Sequence, residues 1–182
     1  YLSTVPVEHT SMNGKPVLTL SPFLNEADKQ QLDALLSSLQ HRVCLRQLCG
    51  PRQFFLVERP GRKKRVLEML AKQLQLQRLL TAAEVQKLFE REALVSTEIA
   101  PGVALPHCMV QGPSFMAMAR LKEPVPWGNT NAELVILCGY HEGDSHMKAA
   151  LENIFSFVQD EGRVAKALRC ETYEDLMRCI DQ

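Results

Sequence analysis

The 182-residue sequence lacks the features that define several protein classes. Its 21 basic and 21 acidic side chains cancel to a formal net charge of zero, which removes any overall electrostatic attraction to nucleic acid or anionic membranes. The sequence has no run of about 18 or more apolar residues, so we expect no segment of it to insert into a membrane. Its first residues lack the basic and then apolar pattern of a signal peptide. The chain starts at Tyr1 rather than Met, and we expect it to be part of a longer protein.

The six cysteines are scattered and include no pair with the short spacing of a metal site. Four of them lie in apolar surroundings, where a reduced cysteine behaves as a small hydrophobic residue. We therefore expect a reduced, cytoplasmic protein without a metal or other cofactor. One set of side chains could be considered as zinc ligands, namely His107, Cys108, Cys138, His141 and His146. We reject it, because it lacks the short paired spacing that zinc sites usually have.

Residues 1–40 are interpreted as strand, strand and helix, with Asn25 as the N-cap of the helix. A piece this small buries its own apolar face poorly, so we expect it to be the tail of a domain. Turn residues between 41 and 60 mark the change to the next domain. The predicted domains are therefore 1–40 and 41–182.

Residues 41–182 predict two helices, a strand-rich centre and three more helices. A capping box, Thr81 with Glu84, opens the second of these helices. The expected elements are helices near 61–77 and 81–92, strands at 103–105, 114–121 and 132–139, a turn over 122–131, and helices from about 145, 164 and 172. This order predicts an α/β fold, a mixed β-sheet covered by helices on both faces.

One histidine, His107, follows the short apolar run "GVALP" and is the first candidate for chemistry. Gly102 gives the backbone freedom before the run and Pro106 stiffens its exit, which would hold an imidazole in a set orientation. A second histidine, His146, lies in the first turn of a predicted helix, where free N–H groups favour anions. Each histidine taken alone is more often a core or surface residue, whereas together they suit the handling of a phosphoryl group.

The pattern "RE…ST.I..G.ALPH", followed by two strands separated by a Trp turn and then "H…L..I", resembles a known family. It is similar to the IIA component of the mannitol/fructose class (type 2) of the bacterial sugar phosphotransferase system, over about residues 45–182. The resemblance implies that His107 accepts a phosphoryl group from the phosphohistidine of the carrier protein HPr. It also implies that His146 supports the phosphoryl site and that Arg91 and Glu92 are the family's Arg-Glu pair.

Phosphoryl transfer depends mainly on positioning and on neutralising charge, and the guanidinium of Arg91 suits the second task. The sequence also departs from the family. Ile99-Ala100-Pro101-Gly102 replaces the usual Ile-Gly-x-Gly, and Cys108 stands where glycine is common. We expect a stiffer approach loop and a more crowded site, which would favour slow, regulatory transfer.

Residues 1–40 resemble the end of the EIIB-like domain in transcriptional activators and antiterminators regulated by the phosphotransferase system. This favours a sensor domain of a regulator, which would take phosphate from HPr, with an EIIB protein or domain as a further candidate partner. A transport IIA subunit, and so an enzyme component, is one alternative, and a protein-binding module with passive histidines is another. The basic run at 61–65 is interpreted as a solvated helix start, and we expect no direct nucleic-acid binding by this fragment.

Overall fold

The structure is a computed structural model. It describes the backbone of residues 2–3, 11–12, 15–16, 18–19 and 25–181, and the side chains of residues 19, 25–36 and 45–181. The chain divides into two units, Tyr1–Gln40 and His41–Gln182. The interpretation of the first unit as the remnant of an EIIB-like domain stays a prediction.

The first unit contains two pairs of very short strands. β1 (Leu2–Ser3) pairs in parallel with β4 (Leu18–Thr19), and β2 (Ser11–Met12) pairs antiparallel with β3 (Lys15–Pro16). The rest of the two predicted strand segments lies outside the described residues. Asn25 was the predicted N-cap, and its side-chain oxygen accepts a hydrogen bond from the backbone N–H of Asp28 at 2.9 Å, which confirms it.

The helix that follows Asn25 is longer than the sequence analysis predicted. Helix α1 spans Glu26–Leu48, because no glycine or proline interrupts this stretch, and the first breaker is Gly50-Pro51. Within the second unit, the side chain of Leu45 and that of Cys49 are completely buried. This part of the helix is therefore anchored by core packing rather than by helix propensity alone.

A six-stranded mixed sheet forms the centre of the second unit. Its strands are β5 (Phe54–Val57), β6 (Glu98–Ala100), β7 (Gly102–Ala104), β8 (His107–Met109), β9 (Phe115–Pro126) and β10 (Asn131–Tyr140). The order is β5-β9-β10-β7-β6, and β8 also pairs with β10. β9 and β10 form an antiparallel hairpin, whereas β5 runs parallel to β9, and β7 and β8 run parallel to β10.

Helices cover both faces of this sheet. They are α2 (Lys63–Leu76), α3 (Ala82–Leu94), α4 (Ser145–Val158), α5 (Glu161–Ala167) and α6 (Tyr173–Ile180). Because alternate strand residues point to opposite faces, Met116 and Met118 pack with α4, α5 and α6, while Ala117 and Ala119 pack with α2 and α3. The predicted α/β fold, a mixed sheet covered on both faces, is confirmed. The capping box of Thr81 with Glu84 is also present.

Two features of the sheet differ from the expectation. β5, β6 and β8 were not predicted, because three or four residues are too short to show a periodic pattern. β9 continues to Pro126, although the sequence predicted a turn from residue 122 onwards. Its outer end pairs with β10 across a register shift next to Ala132, an irregularity at which prolines are tolerated within a sheet.

The hairpin turn between β9 and β10 is held by a carboxylate from β6. Glu98 accepts hydrogen bonds from the backbone N–H of Asn129 at 2.8 Å and from the hydroxyl of Thr130 at 2.7 Å. These bonds to the charged form, that of the Thr130 hydroxyl first, lower the pKa of Glu98 to about 2. Trp127 begins this turn and is buried.

Along the part of the chain that the structure describes, no helix combines the length and apolar character needed to cross a membrane.

Candidate functional site

His107 is the first residue of β8 rather than a residue of a loop. β7 and β8 both run parallel to β10, and Leu105 and Pro106 separate them. The Pro106 carbonyl accepts a hydrogen bond from the backbone N–H of Cys138 at 2.9 Å, so the chain stays attached to β10 across the interruption. From the sequence, the imidazole of His107 was predicted to lie at the exit of a strand. The structure places it between two short strands on one side of β10.

The ring of His107 is oriented by a backbone contact. Its Nδ1 lies 3.0 Å from the carbonyl oxygen of Leu105. A carbonyl oxygen only accepts hydrogen bonds, so this contact requires the proton of the neutral ring to be on Nδ1. Nε2 then carries the lone pair and is the nucleophilic nitrogen. The ring centroid also lies 6.4 Å from that of Tyr140, with the two planes inclined by 49°.

His107 lines an open pocket of about 850 Å³. One wall is apolar and comes from the strand ends and one side of α4, namely Leu105, Tyr140, Met147, Leu151 and Phe155. The loop 141–144 forms the rim. Phe155 is 45% exposed and Tyr140 is 36% exposed, so both side chains present part of their apolar surface at this pocket. The pocket therefore places an apolar surface beside the imidazole of His107.

His146 lies on the other side of the same rim. It is the second residue of α4, and its side chain is 60% exposed. It lines a neighbouring pocket of about 620 Å³ together with Gln47 and Ser114. Among the side chains that the structure describes, His146 is not one of those lining the pocket of His107. The expected support of His107 by His146 thus stays a prediction.

Asp144 caps α4 beside His146. Its Oδ1 accepts a hydrogen bond from the backbone N–H of His146 at 2.9 Å and lies 3.4 Å from the imidazole Nδ1 of the same residue. Hydrogen bonds from the Ser114 hydroxyl, and from the N–H groups of His146 and Met147, lower the pKa of Asp144. An ionised carboxylate therefore occupies the helix start at which the sequence suggested an anion site.

His141 is a residue that the sequence analysis considered only within the rejected zinc set. It lines both pockets, and its backbone N–H donates to the Ser114 hydroxyl at 2.9 Å. No spacing in the sequence distinguishes it from an ordinary loop histidine. Only the fold brings it to the rim shared by His107 and His146.

The Arg91-Glu92 pair separates in the structure because consecutive helix residues point in different directions. Arg91 is near the end of α3, and its guanidinium lies 3.4 Å from the carbonyl oxygen of Val95. Glu92 is buried, forms a 2.6 Å ion pair with Lys63, and accepts a hydrogen bond from the Thr97 hydroxyl at 2.7 Å. Glu92 therefore serves the packing of α3, whereas Arg91 is half-buried near the end of the helix.

Two further sequence expectations concern Cys108 and metal binding. Cys108 packs on the sheet face opposite His107, in the core with α2 and α3, so its thiol does not crowd the pocket. Burial raises the pKa of this thiol to about 11.

The residues with described side chains contain no group of three or more His, Cys, Asp or Glu arranged to hold a metal ion.

Comparisons with known proteins identify the family of this domain. The family model described as "Phosphoenolpyruvate-dependent sugar phosphotransferase system, EIIA 2" matches residues 47–182. The chain belongs to this family of type-2 EIIA domains.

Two relatives in Bacillus subtilis (strain 168) match beyond this domain. The transcriptional regulator ManR is 26% identical over 94% of this chain, and the probable licABCH operon regulator is 23% identical over 100% of it. The chain spans only 27% and 28% of the length of these two proteins.

A solved structure with the same fold is the complex of enzyme IIAMTL and phosphorylated enzyme IIBMTL from Escherichia coli. It has a TM-score of 0.63 and 18% sequence identity, and the match covers 72% of this chain and 95% of that one.

Proposed function

We propose that this chain is the phosphoryl-accepting EIIA-like domain of a transcriptional regulator controlled by the sugar phosphotransferase system. The phosphoryl group comes from HPr, and His107 accepts it. The observation that carries the proposal is the contact between Nδ1 of His107 and the Leu105 carbonyl oxygen, made at the mouth of an open apolar pocket. It holds the ring in the tautomer that leaves Nε2 nucleophilic.

In the proposed step, the Nε2 lone pair of His107 attacks the phosphorus of the phosphohistidine on HPr. The phosphorus–nitrogen bond of the donor breaks, and its electron pair stays on the donor imidazole. Nδ1 of His107 keeps its proton and its hydrogen bond to the Leu105 carbonyl oxygen, so the acceptor ring does not turn during the transfer.

The charge of the transferred group needs donors close to Nε2. The family resemblance assigns this task to His146 and Arg91, and the pocket geometry adds His141, which lines the same pocket as His107. We propose that His141, which lines both pockets, and His146, which lines the neighbouring pocket, both face the incoming phosphate. Arg91 is not among the described residues that line either pocket, so its part in the proposal rests on the family resemblance.

The match to regulators favours a sensor over a transport subunit. The EIIA family model begins at residue 47, and the IIAMTL structure covers 72% of the chain. Both regulators match over 94% or more of the chain, and so also over most of residues 1–46. The alternative, an EIIA subunit of a transport system, is distinguished by rapid onward transfer from phosphorylated His107 to an EIIB protein.

The apolar wall of the pocket is the proposed contact surface for HPr and for an EIIB protein or domain. A shared surface is expected, because each partner must bring its phosphorylated side chain to the same nitrogen. We place the domain in the cytoplasm, where a donor of phosphohistidine is available, and we propose no role for it in binding nucleic acid.

The test is phosphoryl transfer from labelled phospho-HPr to the whole chain. The wild type should take up one phosphoryl group, and His107→Ala none. His141→Ala and His146→Ala should still be labelled, but more slowly, by about tenfold or more, since each would remove a group that neutralises charge in the transition state. Circular dichroism checks that each variant is folded.

Label that persists on His107→Ala would contradict the assignment of the acceptor. Binding of HPr with equal affinity by wild type and His107→Ala, without any label on either, would instead support a passive protein-binding module. Fast loss of the label to an added EIIB protein would favour the transport alternative over the regulator.

A further inference from the structure

Two half-buried thiols, neither of which lines the pocket of His107, lie close together. The Sγ atoms of Cys170 and Cys179 are 3.7 Å apart. Cys170 lies in the loop between α5 and α6, and Cys179 in the last turn of α6. A disulfide has a sulfur–sulfur length of about 2.04 Å, so the sulfurs need to approach by less than about 2 Å, which a loop residue allows.

The two thiols line a surface pocket of about 500 Å³ that is open to small molecules. Its charged lining consists of three cations and two carboxylates, namely Lys166, Arg169, Arg178, Glu171 and Asp175. Glu171 is paired with Lys122, which lies outside this lining, and Asp175 is paired with Arg178 at 3.3 Å, so the charges of Lys166 and Arg169 are left over. The pocket therefore presents excess positive charge to an incoming molecule, which favours an anionic one.

We propose that Cys170 and Cys179 are a modification site, at which an anionic low-molecular-weight disulfide such as oxidised glutathione converts the two thiols into an intramolecular disulfide. One protein thiolate attacks a sulfur of the external disulfide and releases one small thiol. The other protein thiol loses its proton, attacks the mixed disulfide and releases the second small thiol. The protein loses two electrons and two protons. The external disulfide gains these two electrons and two protons and becomes two small thiols.

The neighbourhood makes this reaction slow rather than fast. Burial, and then the hydrogen bond with Cys179, raise the pKa of Cys170 to about 11, so little of it is thiolate at neutral pH. We expect formation over minutes to hours, the range typical of uncatalysed disulfide exchange. The proposal does not depend on phosphorylation of His107.

The bond would tie the loop before α6 to the end of α6. That helix contributes Leu176, Met177 and Ile180 to the core. Closing a loop of this size restricts the unfolded chain, so we expect the oxidised form to melt roughly 5–10 °C higher than the reduced form. Variants that lack one of the two thiols should show no such rise.

The test is peptide mapping of the whole chain after incubation with oxidised glutathione, acid quenching and alkylation of free thiols. Trypsin cleaves after Arg169 and after Arg178, which separates the two cysteines onto different peptides. The expected product is the peptide 170–178 joined through a disulfide to the peptide that begins at Cys179. The peptide carrying the buried Cys138 should remain fully alkylated and serves as an internal control.

Cys170→Ser and Cys179→Ser should each stop at a mixed disulfide with glutathione on the remaining thiol. Two results would overturn the proposal in the wild type. One is full alkylation of both cysteines after prolonged oxidation. The other is a separate glutathione on each cysteine without a linked peptide pair. Both are read from the wild type, so neither depends on the folding of the variants.

Discussion

The replacement of Lys63 by Met provides a sharp test of how the sheet is joined to α2 and α3. The Lys63 ammonium lies 2.6 Å from the Glu92 carboxylate, donates to the Trp127 carbonyl oxygen at 2.9 Å, and sits 5.2 Å from the centre of the Trp127 ring. The Glu92 side chain is 4% exposed and that of Lys63 is 24% exposed. The variant would therefore leave a carboxylate buried without its cation.

Breaking a fully buried ion pair by removing one partner costs about 3–5 kcal/mol. Lys63 is partly exposed and water can partly replace it, so we expect a loss near the lower end, about 3 kcal/mol. For a protein of this size, the melting temperature should fall by roughly 6–12 °C. Urea unfolding followed by circular dichroism gives the free energy of unfolding directly.

Lys64 supplies a matched control next in the chain. Its side chain is 79% exposed, and its ammonium lies 3.8 Å from the Glu68 carboxylate one helical turn away. Lys64→Met should therefore change the free energy of unfolding by less than about 0.5 kcal/mol. Combining Lys63→Met with Glu92→Gln should cost less than the sum of the two single losses, because the buried charge is then absent. Equal effects of Lys63→Met and Lys64→Met would refute the reasoning.

Two other predictions concern the sheet. In Gly139→Ala the new Cβ would lie 2.3 Å from the buried ring of Phe115, so we expect a loss of about 1–3 kcal/mol in urea unfolding. At Gly112 nothing lies within 4 Å of a new Cβ, and Gly112→Ala should stay within about 0.5 kcal/mol of wild type. Glu98 has its pKa lowered from 4.5 to about 2, so its contribution to stability is complete above pH 4.5 and is lost as pH falls towards 2. Glu98→Gln should flatten that part of the stability–pH curve, and an unchanged curve would contradict the role of the hydrogen bond from Thr130.

Much of the fold was predictable because its elements are long and carry clear signals. The stripe of apolar residues in α2, the capping box at Thr81 and the continuous apolar run of β10 each specify one element. β5, β6 and β8 were missed because pairing across the sheet, and not local pattern, makes them strands. Helix α1 continued past the expected end because helix-breaking residues are absent before Gly50.

The candidate site was predictable only in part. Pro106 and the apolar run before it marked His107, but the contact of its Nδ1 with the Leu105 carbonyl oxygen follows from the break between two strands that both pair with β10. His141 carried no signal in the sequence, since only the packing of the loop after β10 brings it to the pocket. Lys63 was interpreted as part of a solvated basic run, and its ion pair with Glu92 depends on contacts between residues far apart in sequence.

The most direct test of the proposed function is the position of the phosphoryl group on the imidazole. Nuclear magnetic resonance of the chain labelled with ¹⁵N in its histidines and phosphorylated by phospho-HPr distinguishes the two ring nitrogens. We predict a single phosphohistidine, at His107, with phosphorus bonded to Nε2 and the proton retained on Nδ1. Phosphorus on Nδ1 of His107, or on any other histidine, would contradict the account.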